Sequence, residues 1–337
     1  MNRKHPLFLA VLVAVGPALR APAQVGLDKL GQSTMNFQLV SVSARASAMG
    51  DAVYAVSTGA ESIFFNPAGM TETNTSFDIL LGYTAWIADI KYYASGVAWN
   101  LGNYGTVGVS ALGVDYGVLH ATRLAAGEAP ALAPQYEDLG EMTNVGAYAV
   151  GVSYAKAINT QFAVGGTMRY TGQHLGESLI NGEIKKNNAA KIVFDAGVKY
   201  KTGFKSFRFG MAIRNFSSQI KREEIDEQLP LTFTIGTAMD ILDIMTPEHS
   251  AGTALTIAAD YLHSNNYSER LNFGVEYLFM GSVAVRAGYQ TNRDIASWSA
   301  GFGVVIPLED DRVQVNYSYS RFRYFDGVNR VSLGVAL

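Results

Sequence analysis

Cysteine is missing from all 337 residues. Its absence excludes disulfides, thiolate metal sites and a cysteine nucleophile. It also excludes the lipid-bearing cysteine that anchors a bacterial lipoprotein. Charge is scarce too: Asp, Glu, Lys and Arg make up 16% of the chain, where soluble proteins average about 25%. The formal charge is −3 and the pI about 6.0. No basic stripe suited to nucleic acid is present. Catalytic motifs are lacking as well. Beyond the N-terminal segment the histidines are His120, His174, His249 and His263, each placed in an expected loop or at a strand end. A zinc site needs about three or four clustered ligands, and neither His-Glu-x-x-His spacing nor a phosphate-binding Gly-x-x-x-x-Gly-Lys loop occurs. A Ser-His-Asp set assembles in space rather than in sequence, and no motif points to one. The chain therefore reads as a non-enzyme without metal or cofactor.

Long apolar runs are also missing. The longest, Pro6–Leu19, follows the basic Arg3, Lys4 and His5 and precedes Ala21-Pro22-Ala23. It is shorter than the roughly 20 residues that span a bilayer as a helix. Basic start, apolar middle and small-residue end together make a secretory signal peptide over 1–23, cleaved before Gln24.

What is abundant is Gly (34), Tyr (18) and Phe (17), distributed with a period of two from about residue 76 onward. Tyr148, Val150, Val152 and Tyr154 form one alternating segment; Val283, Val285 and Tyr289 form another. Counting such segments between turn residues predicts about fourteen strands. Arg169, Asp195, Lys199, Arg208, Arg214, Asp240, Asp260, Glu276, Arg286 and Arg312 all fall on the parity opposite the large apolar side chains. A lipid-facing Arg or Lys near mid-bilayer costs about 2–4 kcal/mol, so these ten are expected to face a lumen. Short turns at Asn100–Tyr104, Ile158–Thr160, Thr202–Ser206 and Met280–Gly281 alternate with long links at about 119–142, 173–189 and 217–229. Short periplasmic turns and long external loops are typical of outer-membrane barrels. The expected fold is all-β, a transmembrane antiparallel barrel over 76–337 with both mature termini in the periplasm. A soluble β-sandwich or propeller is the alternative. It fits less well, because the apolar parity is aromatic and no repeat near 40 residues occurs.

Residues 24–75 alternate weakly and are rich in Ala, Ser and Gly. Asn66-Pro67 reads as a helix start, with Asn as N-cap and Pro in the first helical position, and Gly69 as an early stop. The segment reads as a lumen plug with a short helix; a periplasmic arm is the alternative. Here Ala44-Arg45, Ala48-Met49-Gly50-Asp51-Ala52 and Phe65-Asn66-Pro67-Ala68-Gly69-Met70 resemble the N-terminal signature of the PorV/PorQ family, part of the broader FadL-like barrels. Leu229–Phe233, Val285–Tyr289 and Trp298–Gly303 resemble that family too. Leu337 departs from the aromatic residue on which many such barrels end.

The resemblance implies an outer-membrane component of type IX secretion, with external loops as surfaces for secretion components and secreted cargo. FadL-like relatives imply a second role, passage of hydrophobic small molecules. In that case the faltering alternation at Leu112–Gly117 would bend a strand and open a lateral gap; a ragged strand end is the more common explanation. A barrel with a purely structural role is a third reading.

Overall fold

The computed structural model describes residues 33–337, apart from 74, 125–135, 143–144, 181–182, 223–224, 247–251, 294–295 and 309–310. The expected signal peptide lies outside the described residues, as does His249. In chain order the strands are β1 (Phe77–Ala85), β2 (Lys91–Asn100), β3 (Thr106–Asp115), β4 (His120–Leu124), β5 (Tyr136–Glu141), β6 (Val145–Ala157), β7 (Phe162–Ile180), β8 (Glu183–Lys201) and β9 (Arg208–Phe216). They continue with β10 (Ile220–Arg222), β11 (Ile225–Glu227), β12 (Thr232–Asp240), β13 (Ala254–Ser264), β14 (Arg270–Phe279), β15 (Val283–Gln290), β16 (Ala296–Leu308), β17 (Asp311–Phe322) and β18 (Val328–Ala336). Fourteen of them close one barrel, each antiparallel to its neighbours, and β1 pairs with β18 to complete it. The remaining four form two hairpins, β4–β5 and β10–β11, within the links that follow β3 and β9.

Alternation sorts the side chains between two surfaces. Val150, Val152, Ile192, Val285 and Phe302 point outward and keep half or more of their area exposed. Their strand neighbours Ala149, Ser153, Val193, Ala284 and Arg286 are buried. So large an apolar exterior is unsuited to water and suited to hydrocarbon. Rings stack across strands on this surface, as Phe77 on Trp99 at 5.6 Å and Phe302 near Tyr317 at 5.5 Å.

Two expectations need correction. The span 173–189 is not a loop: β7 and β8 continue through it as one long hairpin, with a register shift between His174 and Glu177. Nor does β3 bend open. Leu112–Asp115 are paired on both sides, to β2 and to β6. Alternation falters there because the strand is ending, and the Asp115 carboxylate accepts the Gly117 N–H in the turn that follows. Connection lengths also alternate less cleanly than the sequence suggests. The end bearing the long hairpins, called the loop end below, also carries short links at 86–90, 265–269 and 323–327. The opposite turn end carries the longer 241–253 link, with a short helix at Leu242–Met245.

Candidate functional site: a plug fastened to the wall

The described residues between 33 and 75 lie inside the barrel. Their apolar side chains, among them Met35, Met49, Val53, Ile63 and Met70, are almost wholly buried and form about half of the core. Four short helical pieces succeed one another: Asn36–Leu39, Ala44–Ala48, Gly59–Phe64 and Pro67–Glu72. Single turns of this kind do not persist alone in water; the wall holds them. Ser43 caps Ala44–Ala48 by accepting the Ala46 N–H. The same helix ends with Gly50 N–H on Ser47 O and Asp51 N–H on Ala46 O. That pair is a Schellman closure, and it requires a left-handed residue past the last turn. Gly50 supplies it at φ +61.

The plug touches every strand of the barrel. Ala44–Ala48 packs on β15–β18, Gly59–Phe64 on β1–β3, and Pro67–Glu72 on β3 and β6–β8. Between them, Met49 to Ala55 run across β9 and β12–β15. Close approach is possible because the wall's inner face carries glycine where the plug backbone crosses it. A β-carbon on Gly288 would collide with Met49 and Gly50, one on Gly210 with Tyr54, and one on Gly165 with Pro67 and Ala68.

Of the motif residues, Arg45 forms ion pairs both to the wall and within the plug. Its guanidinium grips Glu276 on β14 through two bonds of 2.9 Å and Glu61 in the plug through a third, also 2.9 Å. Glu276 also accepts from Arg286 on β15 at 2.5 Å, and Arg286 donates to Asn316 on β17. Ser43 hydrogen-bonds Glu61 from the other side. Met49 is fully buried. Asp51 and the Gly50 carbonyl both accept from Gln290 at 2.9 Å. Asn66 caps Pro67–Glu72 by accepting the Ala68 N–H, and its amide donates to Tyr54 O and to Val198 O on β8. Pro67 opens that turn. Gly69 does not stop it, because the turn continues to Glu72; Gly69 instead lets the Ser57 carbonyl approach.

The ten charges singled out on the inner parity fall into four groups. Glu276 and Arg286 belong to the Arg45 network. Asp260 accepts the Tyr54 N–H at 3.0 Å, Arg214 donates to the Tyr54 hydroxyl at 3.2 Å, and Lys199 donates to Ser57 O and Glu72. Arg169 and Asp195 pair with each other at 2.8 Å beside Asn215. Asp240, Arg208 and Arg312 sit toward the turn end. Asp240 caps the backbone of Leu242 and Leu255 there, and Arg312 is exposed. Sequence reasoning placed the charges on the inner face but not their partners, because partnership depends on strand register. It also missed Arg330, 4% exposed on β18, which donates to Ser41 O and Ser47 of the plug. Asn329-Arg330-Val331 within the last alternating segment was the available signal. His120 and His263 are exposed beside Asp138 and Glu269, and His174 stacks on Tyr148.

Glu72 ties the end of the plug to β8, through Lys199 at 2.5 Å and Lys201 at 3.1 Å. Burial alone would raise its carboxyl pKa, but the two ammonium groups override burial and hold it below the usual glutamate value. A carboxyl held low in the fold stabilises it above the ordinary pKa, and that contribution fades as pH falls through the folded value. Wild type is therefore expected to melt above Glu72→Gln at neutral pH, with the gap closing as pH drops below about 4. Coincident melting curves across that range would show that the tie contributes nothing.

Two cavities flank the plug. One of about 340 Å³ opens toward the loop end, and one of about 500 Å³, lined by Glu72, Lys199, Lys201 and Arg208, lies toward the turn end.

No family model matches the chain, and no curated protein matches it. Solved structures do. The toluene transporter TodX of Pseudomonas putida aligns with a TM-score of 0.51 at 10% identity, over 86% of this chain and 96% of that one. A FadL homologue of Pseudomonas aeruginosa aligns with a TM-score of 0.51 at 11% identity, over 86% and 96%. A deltaS2S3 mutant of TodX gives 0.53 at 10% identity, over 87% and 97%. At such identities the likeness is one of fold: this chain shares the barrel architecture of these structures.

Proposed function

We propose that the protein spans the bacterial outer membrane, loop end outward and both mature termini in the periplasm, as a non-enzymatic component of type IX secretion. In this reading it is a plugged barrel of the PorV/PorQ type that hands cargo to a surface attachment complex. The supporting observation is that the plug reaches all fourteen barrel strands while β4–β5, the β7–β8 extension and β10–β11 rise from one sector of the loop end. A lumen filled in this way leaves the outer hairpins as the working surface. They are exposed and mixed in character, with Tyr136, Leu139 and Ile184 among His120, Arg123, Glu137 and Lys186, a composition suited to protein partners. The test compares surface and secreted proteins of wild type with those of a deletion strain. Proteins bearing type IX C-terminal signals should leave the surface and medium and collect in the periplasm. An unchanged secretome would overturn the reading.

A second reading, passage of hydrophobic solutes, is favoured by the aromatic-walled loop-end cavity and by the architecture shared with TodX. It predicts slower uptake of long-chain or aromatic hydrophobic compounds in the deletion strain with no change in secretion.

A further inference from the structure

The loop-end cavity is unusual in its charge. Arg169, Arg214, Arg270, Arg293 and Arg330 line it, and Asp51 is the one carboxylate among its described lining residues. Arg169 is answered by Asp195 behind it, and Arg270 lies over the Tyr267 ring at 3.5 Å. Arg214, Arg293 and Arg330 remain. Among the described residues none of these three forms an ion pair, and Asp51 is the one carboxylate in the described lining. Arg330 is held by Ser41, Ser47 and Ser320, all uncharged. Arg214 holds the Tyr54 hydroxyl and the Gln38 carbonyl. The Nε of Arg214 and that of Arg293 are buried without any hydrogen-bond partner. Burying a guanidinium without a counter-charge is costly; among the described lining residues three guanidiniums, Arg330 buried and Arg214 and Arg293 half-buried, face one carboxylate, Asp51.

The rest of the wall is aromatic. Trp86 lies under Arg330 at 5.3 Å and meets Phe322 edge-on at 5.3 Å. Phe65 lies under Arg214 at 6.0 Å. Guanidinium groups fixed on ring faces form flat, cationic surfaces that take planar anions between them. The volume of about 340 Å³ falls at the lower end of small-molecule sites, which run from roughly 300 to 1,000 Å³.

We infer that this cavity binds a compact aromatic dianion from the loop end, its rings among Trp86, Phe322 and Phe65 and its acidic groups on Arg214, Arg293 and Arg330. The site stands independently of the secretion reading. A single carboxylate on an acyl chain would leave one guanidinium unanswered and would not use the flat faces.

Calorimetric titration of the purified full chain in detergent tests this, with naphthalene-1,5-disulfonate as probe and naphthalene-1-sulfonate and decanoate as comparisons. Saturable one-site binding of the disulfonate is expected, with the monosulfonate weaker by about tenfold, the loss that one charge-assisted contact implies. Arg330→Gln and Arg293→Gln should each weaken the disulfonate by about the same factor. Arg330 also holds the plug; among the described residues Arg293 makes no bond to it, so Arg293→Gln decides the matter if Arg330→Gln fails to fold. Absence of saturable disulfonate binding overturns the inference. So does decanoate binding as tightly as the disulfonate, or an Arg293→Gln titration identical to wild type.

Discussion

Replacing Glu276 by Ala is expected to unfasten the plug. Glu276 holds Arg45 from the plug and Arg286 from the neighbouring strand, and all three are largely buried. Removing one partner of such a set strands the others in a medium that solvates them poorly, at a cost of about 3–5 kcal/mol. Arg45 retains Glu61, but that residue belongs to the plug and cannot tie it to the wall. Two readouts should move together. The detergent-solubilised barrel should melt earlier, and planar bilayers containing the variant should carry ion current that wild type does not. Glu276→Gln, which keeps the shape and loses the charge, should fall between. Unchanged melting and unchanged current in Glu276→Ala would mean that the plug is seated by packing alone.

The second large effect concerns the outer surface. Val152 lies mid-strand on β6, 52% exposed, between the outward Val109 and Met168. Val152→Arg should cost about 2–4 kcal/mol if hydrocarbon covers that surface. Ile158, equally exposed but in the turn after β6, serves as the control. Arginine there should cost about 0–1 kcal/mol, because charge near the interface is tolerated. Heat-modifiable gel mobility and denaturant titration in lipid vesicles measure both. Equal behaviour of the two variants would point to an exterior in contact with water or with another protein.

The barrel was legible in the sequence because its physics is local. Lipid outside and plug inside impose opposite polarities on alternating residues, so Tyr148–Tyr154 or Val283–Tyr289 announce both strand and surface. Strand number and the helix cap at Asn66-Pro67 follow from short-range patterns as well. Where the pattern served poorly, the cause was again physical. The stretch 173–189 reads as a loop because its hairpin rises beyond the surface that enforces alternation: Ile184 is 70% exposed among polar neighbours. Gly69 reads as a stop, yet it is there to admit the Ser57 carbonyl. The Arg45–Glu276–Arg286 cluster and the arginine-lined cavity could not be read, since they join residues more than two hundred positions apart through a register that composition does not encode.

The glycines that receive the plug have a consequence for how the molecule is made. The closing ladder joins the first strand to the last, Asp78 opposite Ala336, and the plug is bonded to both sides of that seam. Ala60 donates to Asp78 on β1, and Arg330 on β18 donates to Ser41 and Ser47. Joining such distant segments is the slow part of building any β-structure. Here the plug, which precedes the first strand, acts as a mandrel: the sheet is rolled around it and then stitched shut. A closed wall offers no side entrance to a plug left outside, so the plug is expected to be in place before the ladder between β1 and β18 forms.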